Sequence, residues 1–359
     1  MGQNGNEAPL APYCIGYDDE ISGVVATFFM TTACSMPESD IATVEITRRS
    51  PMHAFLSRIM QVRSQAIMMA ALSLMLPLFG FIGGAIMGLA TLRSGLIEGA
   101  LVAGAATFLA GAATWFFMGT PVPVIAFIIV TGMPILLLAA TLRYTRSLGT
   151  TITVAGICAA IGVIGLHAII DDPFAWWRDL LYAMLIRPDQ VSVLDAQTTE
   201  RLERFADALA PMVTALPAGI MFGAILLLFL ARWWHAILDN PGGFRDEFHA
   251  LRLDPRLAIA VFLIGGILAL ANPMAGIGDG FWEIFRILYL FQGLAVFHGI
   301  IGARGMSGNW LGGLYLLLVF DLLGSMPGAM TTLLAATGFM DTWLDFRVRA
   351  MNKQRTHKP

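Results

Sequence analysis

The chain has 359 residues, of which 57% are hydrophobic and only 13% charged, with a formal net charge of −3 and a mean hydropathy of +0.72. A soluble domain carries about 25% charged residues, so this composition excludes an ordinary soluble globular protein. No basic patch interleaved with aromatics points to nucleic acid, and Cys14, Cys34 and Cys158 form no CxxC pair that would suggest a disulfide framework or a zinc site.

Residues 1–51 are polar to mixed, with Asp18, Asp19, Glu20, Glu38, Asp40 and Glu45 and no Lys or Arg before Arg48. Gly23–Ser35 is marginally apolar and lacks the basic flank of a signal peptide, so the segment reads as a poorly ordered extension. Met52 opens a second start-like sequence, MHAFLSRIMQVRSQA, and translation from there is a competing expectation.

From Gln65 to about Phe346, long apolar stretches alternate with short loops. A helix needs about 20 apolar residues to cross the hydrocarbon of a bilayer, and stretches such as Gly219–Ala231 and Leu257–Ala271 are apolar on every face. Spans are predicted at 97–118, 122–142, 149–170, 211–236, 256–272, 281–303, 309–324 and 327–345, after an apolar block at 65–92. Charge sidedness chooses how to read that block, because Lys and Arg accumulate in cytoplasmic loops. Splitting it at Pro77–Gly80 into a short hairpin puts Arg58/Arg63, Arg93, Arg143/Arg146, Arg232 to Arg256, Arg304 and the tail from Arg347 on one side. The expectation is ten segments with both termini cytoplasmic; one long tilted helix, giving nine, is the alternative. Small residues at Ala66-x-x-x-Ala70, Gly80-x-x-Gly83-Gly84-x-x-x-Gly88, Gly95-x-x-x-Gly99 and Gly162-x-x-Gly165 predict close helix approach.

The segment 171–210 then lies outside. It holds an amphipathic stretch with Trp176, Trp177 and Tyr182, and a second helix at Thr198–Leu209. Two interfacial helices packed on the bundle, or a lid over an outward cavity, both fit. Its four arginines count against the outside placement.

Ionisable groups deep in a bilayer usually face a cavity or a partner. His167, Asn272, Asp279, Glu283, Arg286 and Asp321 fall toward the outer half of the bundle, and His298 in the inner half, which makes these seven the candidate lining of a polar pocket. Competing structural readings are an internal Glu283–Arg286 ion pair at i, i+3 spacing and a hydrogen-bonded core histidine at 298. No HExxH, P-loop, GxSxG or dense His/Asp cluster is present, so no enzyme, metal or cofactor is expected, and energised transport would require a partner or an ion gradient.

Three segments resemble the YybS-like family of predicted bacterial multi-pass membrane proteins, named for its unknown function. They are Met52–Ala66 with the following Pro77 hairpin and LATLRSGLIEGALV, the cytoplasmic NPGGFRDEFHALRL (Asn240–Leu253), and GFMDTWLDFRVR (Gly338–Arg349). That family is more distantly similar to the substrate-binding subunits of energy-coupling-factor transporters. The resemblance implies docking of a membrane partner through Ala66 and Ala70 and binding of a small solute on the outer side. Phe244, Arg245, Phe248, Arg252, Asp341 and Asp345 are the further partner-contact candidates, while Asp341 and Asp345 also suit ion pairs to cytoplasmic arginines.

The expected molecule is an all-α polytopic transmembrane bundle over 52–346, with an external helical insert at 171–210, a cytoplasmic loop at 237–255 and a basic tail at 347–359, in the bacterial inner membrane. Two functions compete: a transporter-like protein with an outward-facing polar pocket, and a scaffold recruiting membrane or cytoplasmic partners through 240–253 and the tail.

Overall fold

Helices satisfy their own backbone polar groups, which apolar surroundings demand, and every element among the described residues is helical. The structure is a computed structural model that describes residues 51–76, 79–185, 195–271, 276–324 and 328–355; the extension at 1–50, Asn272 and the last four residues lie outside them. The chain divides into Met1–Ala54, of which only the first turn of a helix is described, and Phe55–Pro359, which holds the bundle.

The helices are α1 (Pro51–Gln61), α2 (Arg63–Met75), α3 (Gly80–Ser94), α4 (Leu96–Met118), α5 (Val122–Thr145), α6 (Leu148–Ile169), α7 (Pro173–Leu185), α8 (Ala196–Leu209), α9 (Leu216–Asp239), α10 (Gly243–His249), α11 (Pro255–Ala271), α12 (Ile277–Ala303), α13 (Asn309–Leu322), α14 (Ala329–Leu344) and α15 (Phe346–Arg355). The block at 65–92 is therefore two packed helices, and the basic tail continues as a helix to Arg355. Left-handed residues stop α4 at Gly119, α5 at Arg146 and α14 at Asp345, while the Ser147 hydroxyl caps α6 by accepting from Thr150 N at 3.2 Å.

Within α5 one turn, Ile128–Gly132, is a π turn in which Met133 N donates to Ile128 O. Pro134 follows at once. Its ring lacks an N–H and crowds the carbonyl four residues back, so the helix widens locally instead of breaking.

Two helices form the axis of the bundle. Ten of the fifteen residues of α3 are buried, because its glycines admit neighbours on several faces. A Cβ at Gly84 would meet Leu227 of α9 and Thr131 of α5 at 3.0 and 3.1 Å, and one at Gly88 would meet Ala231 and Ile135 at 3.0 Å. The second axis is α12, surrounded by α6, α9, α11 and α14.

The outer surface reverses the soluble pattern. Large apolar side chains such as Phe116, 81% exposed, and Leu270, 86% exposed, face outward, an arrangement that is stable only where lipid covers it. Leu96–Met118, Val122–Thr145, Leu148–Ile169, the stretch Gln197–Asp239 that contains α9, and Ile277–Ala303 are long and apolar enough to cross a membrane. These five candidate spans among the described residues are compatible with an integral membrane protein.

Side-chain pairs gather the arginine-bearing helix ends at one end of the bundle. Arg63 meets Glu98 at 2.6 Å, Arg93 meets Asp239 at 3.9 Å and Arg347 meets Asp341 at 2.8 Å. Arg143 donates to Arg93 O at 2.9 Å, Arg232 to Glu247 Oε2 at 2.9 Å, and Arg252 pairs with Asp345. At the opposite end Gly276 lies against Thr214 and Phe174, and Gly280 against Thr214 and Val163.

Candidate functional site

The polar residues of α12–α14 form a brace. Arg286 Nε donates to Glu283 Oε2 at 3.1 Å, the i, i+3 pair expected from spacing, and Arg286 Nη1 donates to Thr331 Oγ1 of α14 at 2.6 Å. Asp321, buried at the end of α13, accepts from the backbone N–H groups of Met330 and Thr331 at 3.3 and 3.0 Å. These are orphan donors of the first turn of α14, whose own cap residue, Gly328, has no side chain to offer. A carboxylate at a helix N-terminus is favoured both as acceptor and by the dipole. Asp321 is therefore a cap supplied from the preceding helix.

Deeper along α12, Gln292 is fully buried and has all its polar capacity engaged by backbone and hydroxyl groups. Its Oε1 accepts from Leu253 N at 2.9 Å, and its Nε2 donates to Gly338 O at 2.8 Å and Thr342 Oγ1 at 3.2 Å. One side chain thus ties the loop after α10 to both α12 and α14. Sequence reasoning missed it; the available signal was a lone amide within a 27-residue apolar helix, since an unpaired buried amide would be costly.

At the arginine end, His298 Nδ1 lies 2.8 Å from Leu294 O and its Nε2 lies 3.1 Å from the Tyr315 hydroxyl. A carbonyl can only accept, so Nδ1 carries a proton and donates to Leu294 O. Phe248 packs on the same imidazole edge-to-face with centroids 5.3 Å apart. Of the neighbouring histidines, His249 on α10 has its pKa lowered, first by burial and then by the Arg245 charge.

Several of the partner-contact candidates make contacts within the chain. Ala66 and Ala70 are buried, Ala70 O approaches Gly83 of α3, and α2 also packs along α4; this stripe closes the helical hairpin rather than presenting a face. Phe244 and Phe248 pack on Phe229 of α9 at 5.7 and 5.5 Å, so the apolar face of α10 covers the bundle. Asp341 Oδ1 accepts from Phe346 N at 2.9 Å while its Oδ2 binds Arg347, which also donates to His249 O. Asp345 is paired with Arg252. Arg245 alone of the eight remains exposed without a carboxylate partner among the described residues.

A cavity of about 790 Å³ lies among α5, α6 and α9, at the end away from the arginines. Its walls include Met133 and Leu137, Cys158, Gly162, Gly165 and Leu166, and Pro217 and Ile220, with Trp176 of α7 beside it. The wall is almost wholly apolar. None of the described pocket candidates lines it: His167 turns its Nδ1 to Val163 O at 2.9 Å, Asp279 is exposed in the first turn of α12, and Glu283, Arg286, His298 and Asp321 are engaged as above. Asn272 lies outside the described residues. Glu283, Arg286, His298 and Asp321 thus bond to protein groups, and the open volume at this end has an apolar wall. Sequence reading could not separate these lining residues from ordinary span residues, because both are apolar; the small residues at 162 and 165 were the only hint.

The described residues of the insert at 171–210 form two helices, α7 and α8, with a polar notch of about 300 Å³ between them lined by Arg178, Asp179, Tyr182, Glu203 and Asp207. Among the described residues no group of three or more His, Cys, Asp or Glu side chains could hold a metal ion.

The chain matches no protein-family model, no curated protein and no solved structure.

Proposed function

We propose that the chain is a transporter-like protein of the bacterial inner membrane that binds a small apolar or amphipathic molecule in the cavity among α5, α6 and α9. In this reading it has ten membrane segments, both termini are cytoplasmic and the cavity lies in the outer half. Membership of the YybS-like family is part of the proposal and rests on the three segments quoted above. The observation that carries the functional reading is the cavity itself. Ligand sites are typically concavities of about 300–1,000 Å³ with mostly apolar walls, and this one has about 790 Å³. Gathering of the arginine ends supports the topology, because basic loops stay cytoplasmic. A partner-recruiting scaffold is the weaker reading, since the apolar face of α10 is already covered by Phe229.

Cys158 and Gly165 make the reading testable, since both line the cavity and a Cβ at Gly165 would meet nothing within 4 Å. In a Cys14→Ser/Cys34→Ser background, an alkyl diazirine probe should crosslink mainly to α5, α6 and α9, and should slow modification of Cys158 by N-ethylmaleimide. Gly165→Leu should abolish both effects while the protein remains folded. Crosslinks spread evenly over the lipid-facing surface, unchanged by Gly165→Leu, would refute the binding site.

A further inference from the structure

A second concavity, at the arginine end, differs from the first in carrying charge. It encloses about 620 Å³ between the end of α12, the 304–308 loop, the first turn of α13, α14 and α15. Phe297, Ile300, Trp310 and Phe346 give it apolar walls, and Arg304 and Arg349 stand on it as its two cations. No acidic residue lines it. Both arginines are exposed, and neither has a carboxylate partner among the described residues, whereas Arg63, Arg93, Arg232, Arg252 and Arg347 at the same end are all paired. Trp310 is 64% exposed, the placement of an indole at a membrane–water boundary.

We propose that this cleft binds an acidic phospholipid of the leaflet facing the arginine end, with an acyl chain against Phe297 and Ile300 and the headgroup phosphate on Arg304 and Arg349. The assignment follows from charge. Guanidinium groups match phosphate oxygens in pairs of hydrogen bonds, and basic pockets between membrane helices on the cytoplasmic side hold acidic headgroups. A zwitterionic lipid would bring its ammonium group to a site with two cations and no carboxylate to receive it. A second copy of the chain or a soluble protein would not need apolar walls continuous with the lipid-facing surface. The inference rests on membrane insertion of the bundle and is independent of the cavity among α5, α6 and α9.

The test uses the full chain, delipidated in mild detergent, titrated with dioleoyl phosphatidylglycerol or dioleoyl phosphatidylcholine and read by native mass spectrometry. Each arginine near the surface favours an anionic lipid by a factor of several, so the expected preference for phosphatidylglycerol is roughly tenfold or more. Arg304→Gln/Arg349→Gln should remove that preference without lowering thermal stability. Arg146→Gln/Arg256→Gln, which deletes the same charge from the same end, should retain it. Equal binding of the two lipids by the parent protein, equal loss in both double variants, or retention in the Arg304/Arg349 variant would overturn the site. Tighter retention of oleate than of phosphatidylglycerol would overturn its assignment to a phospholipid.

Discussion

Gly338 of α14 approaches Gly293 of α12 so closely that a Cβ on Gly338 would lie 2.5 Å from the Gly293 nitrogen and overlap the carbonyl oxygen of Tyr289. A Cβ on Gly293 would in turn lie 2.8 Å from the carbonyl carbon of Leu334. The obstacles are backbone atoms, which cannot rotate aside. The two helices therefore pack at a distance that only glycine permits. Gly338→Ala is expected to destabilise the protein by about 1–3 kcal/mol or more, the cost of overpacking, read as a lower thermal unfolding midpoint in detergent. Gly104→Ala, where a Cβ meets nothing within 4 Å, should be neutral or slightly stabilising, since alanine is the better helix former.

Gln292 should be intolerant of an isosteric apolar replacement. Gln292→Leu leaves Leu253 N without its acceptor, in a site with no exposure, while Gly338 O keeps the Thr342 hydroxyl at 3.4 Å. Leaving that one buried donor unpaired is expected to cost about 1–3 kcal/mol. Hydrogen exchange gives a local readout: the Leu253 amide should lose protection more than amides of α3.

If Asp321 is a helix cap, its removal should act on folding and leave ligand capture alone. Asp321→Ala is expected to cost about 1–2 kcal/mol, with Asp321→Asn recovering part because the amide oxygen still accepts. Exchange should quicken at Met330 and Thr331, the donors it satisfies, while crosslinking in the α5, α6 and α9 cavity stays unchanged. Loss of crosslinking at normal stability would reassign Asp321 to the binding site.

Stability should fall on mild acidification through His249. Burial and the nearby charges of Arg245, His298 and Arg347 lower its pKa below 6.5, against the opposing pull of Asp246. Because the folded state binds the proton less readily than the unfolded chain, His249 adds no penalty above about pH 6.5. As pH falls below that value, the unfolded state takes up protons first and the folded state loses relative stability until it too is protonated. The unfolding midpoint, measured from pH 7.5 to 5, should drop more in the parent protein than in His249→Gln.

Asp341 and Arg347 form a pair that is almost completely withdrawn from solvent, with side-chain exposures of 0% and 8%. Asp341→Ala strands the arginine and is expected to cost about 3–5 kcal/mol, whereas Asp341→Leu/Arg347→Met removes both charges and should cost much less. A double variant as unstable as the single one would argue that packing, not charge, dominates there.

What could be read from the residues alone was set by the range of the interaction. The separation of α2 from α3 was legible because Pro77 and Gly80 interrupt the apolar block, and the Glu283–Arg286 pair because helical spacing brings i and i+3 together. The buried surface of α3 followed from its glycines. Contacts that join distant segments left no local trace. Asp321 reaches donors nine and ten residues on, across a turn, and the partners of Gln292 lie 39 to 50 residues away. Asp321 was legible as an unusual residue, yet its task was not. The apolar cavity had no chemical contrast against its surroundings, so a reading based on ionisable groups gave no sign of it.

The widened turn at Ile128–Gly132 has a consequence for the wall it belongs to. One inserted residue advances everything beyond it by about 100° around the axis, given 3.6 residues per turn. Ile129 lies within that turn, and Met133 and Leu137 after it, all three facing the same volume. Their i, i+4, i+8 spacing keeps them on one face, so the extra residue acts on the stretch before it, Val122–Phe127, rather than on the wall itself. Whatever allows the helix to regain regular winding, such as replacing Pro134, would swing Val122–Phe127 by about 100° around the axis relative to this wall, with α6 and α9 left as they are.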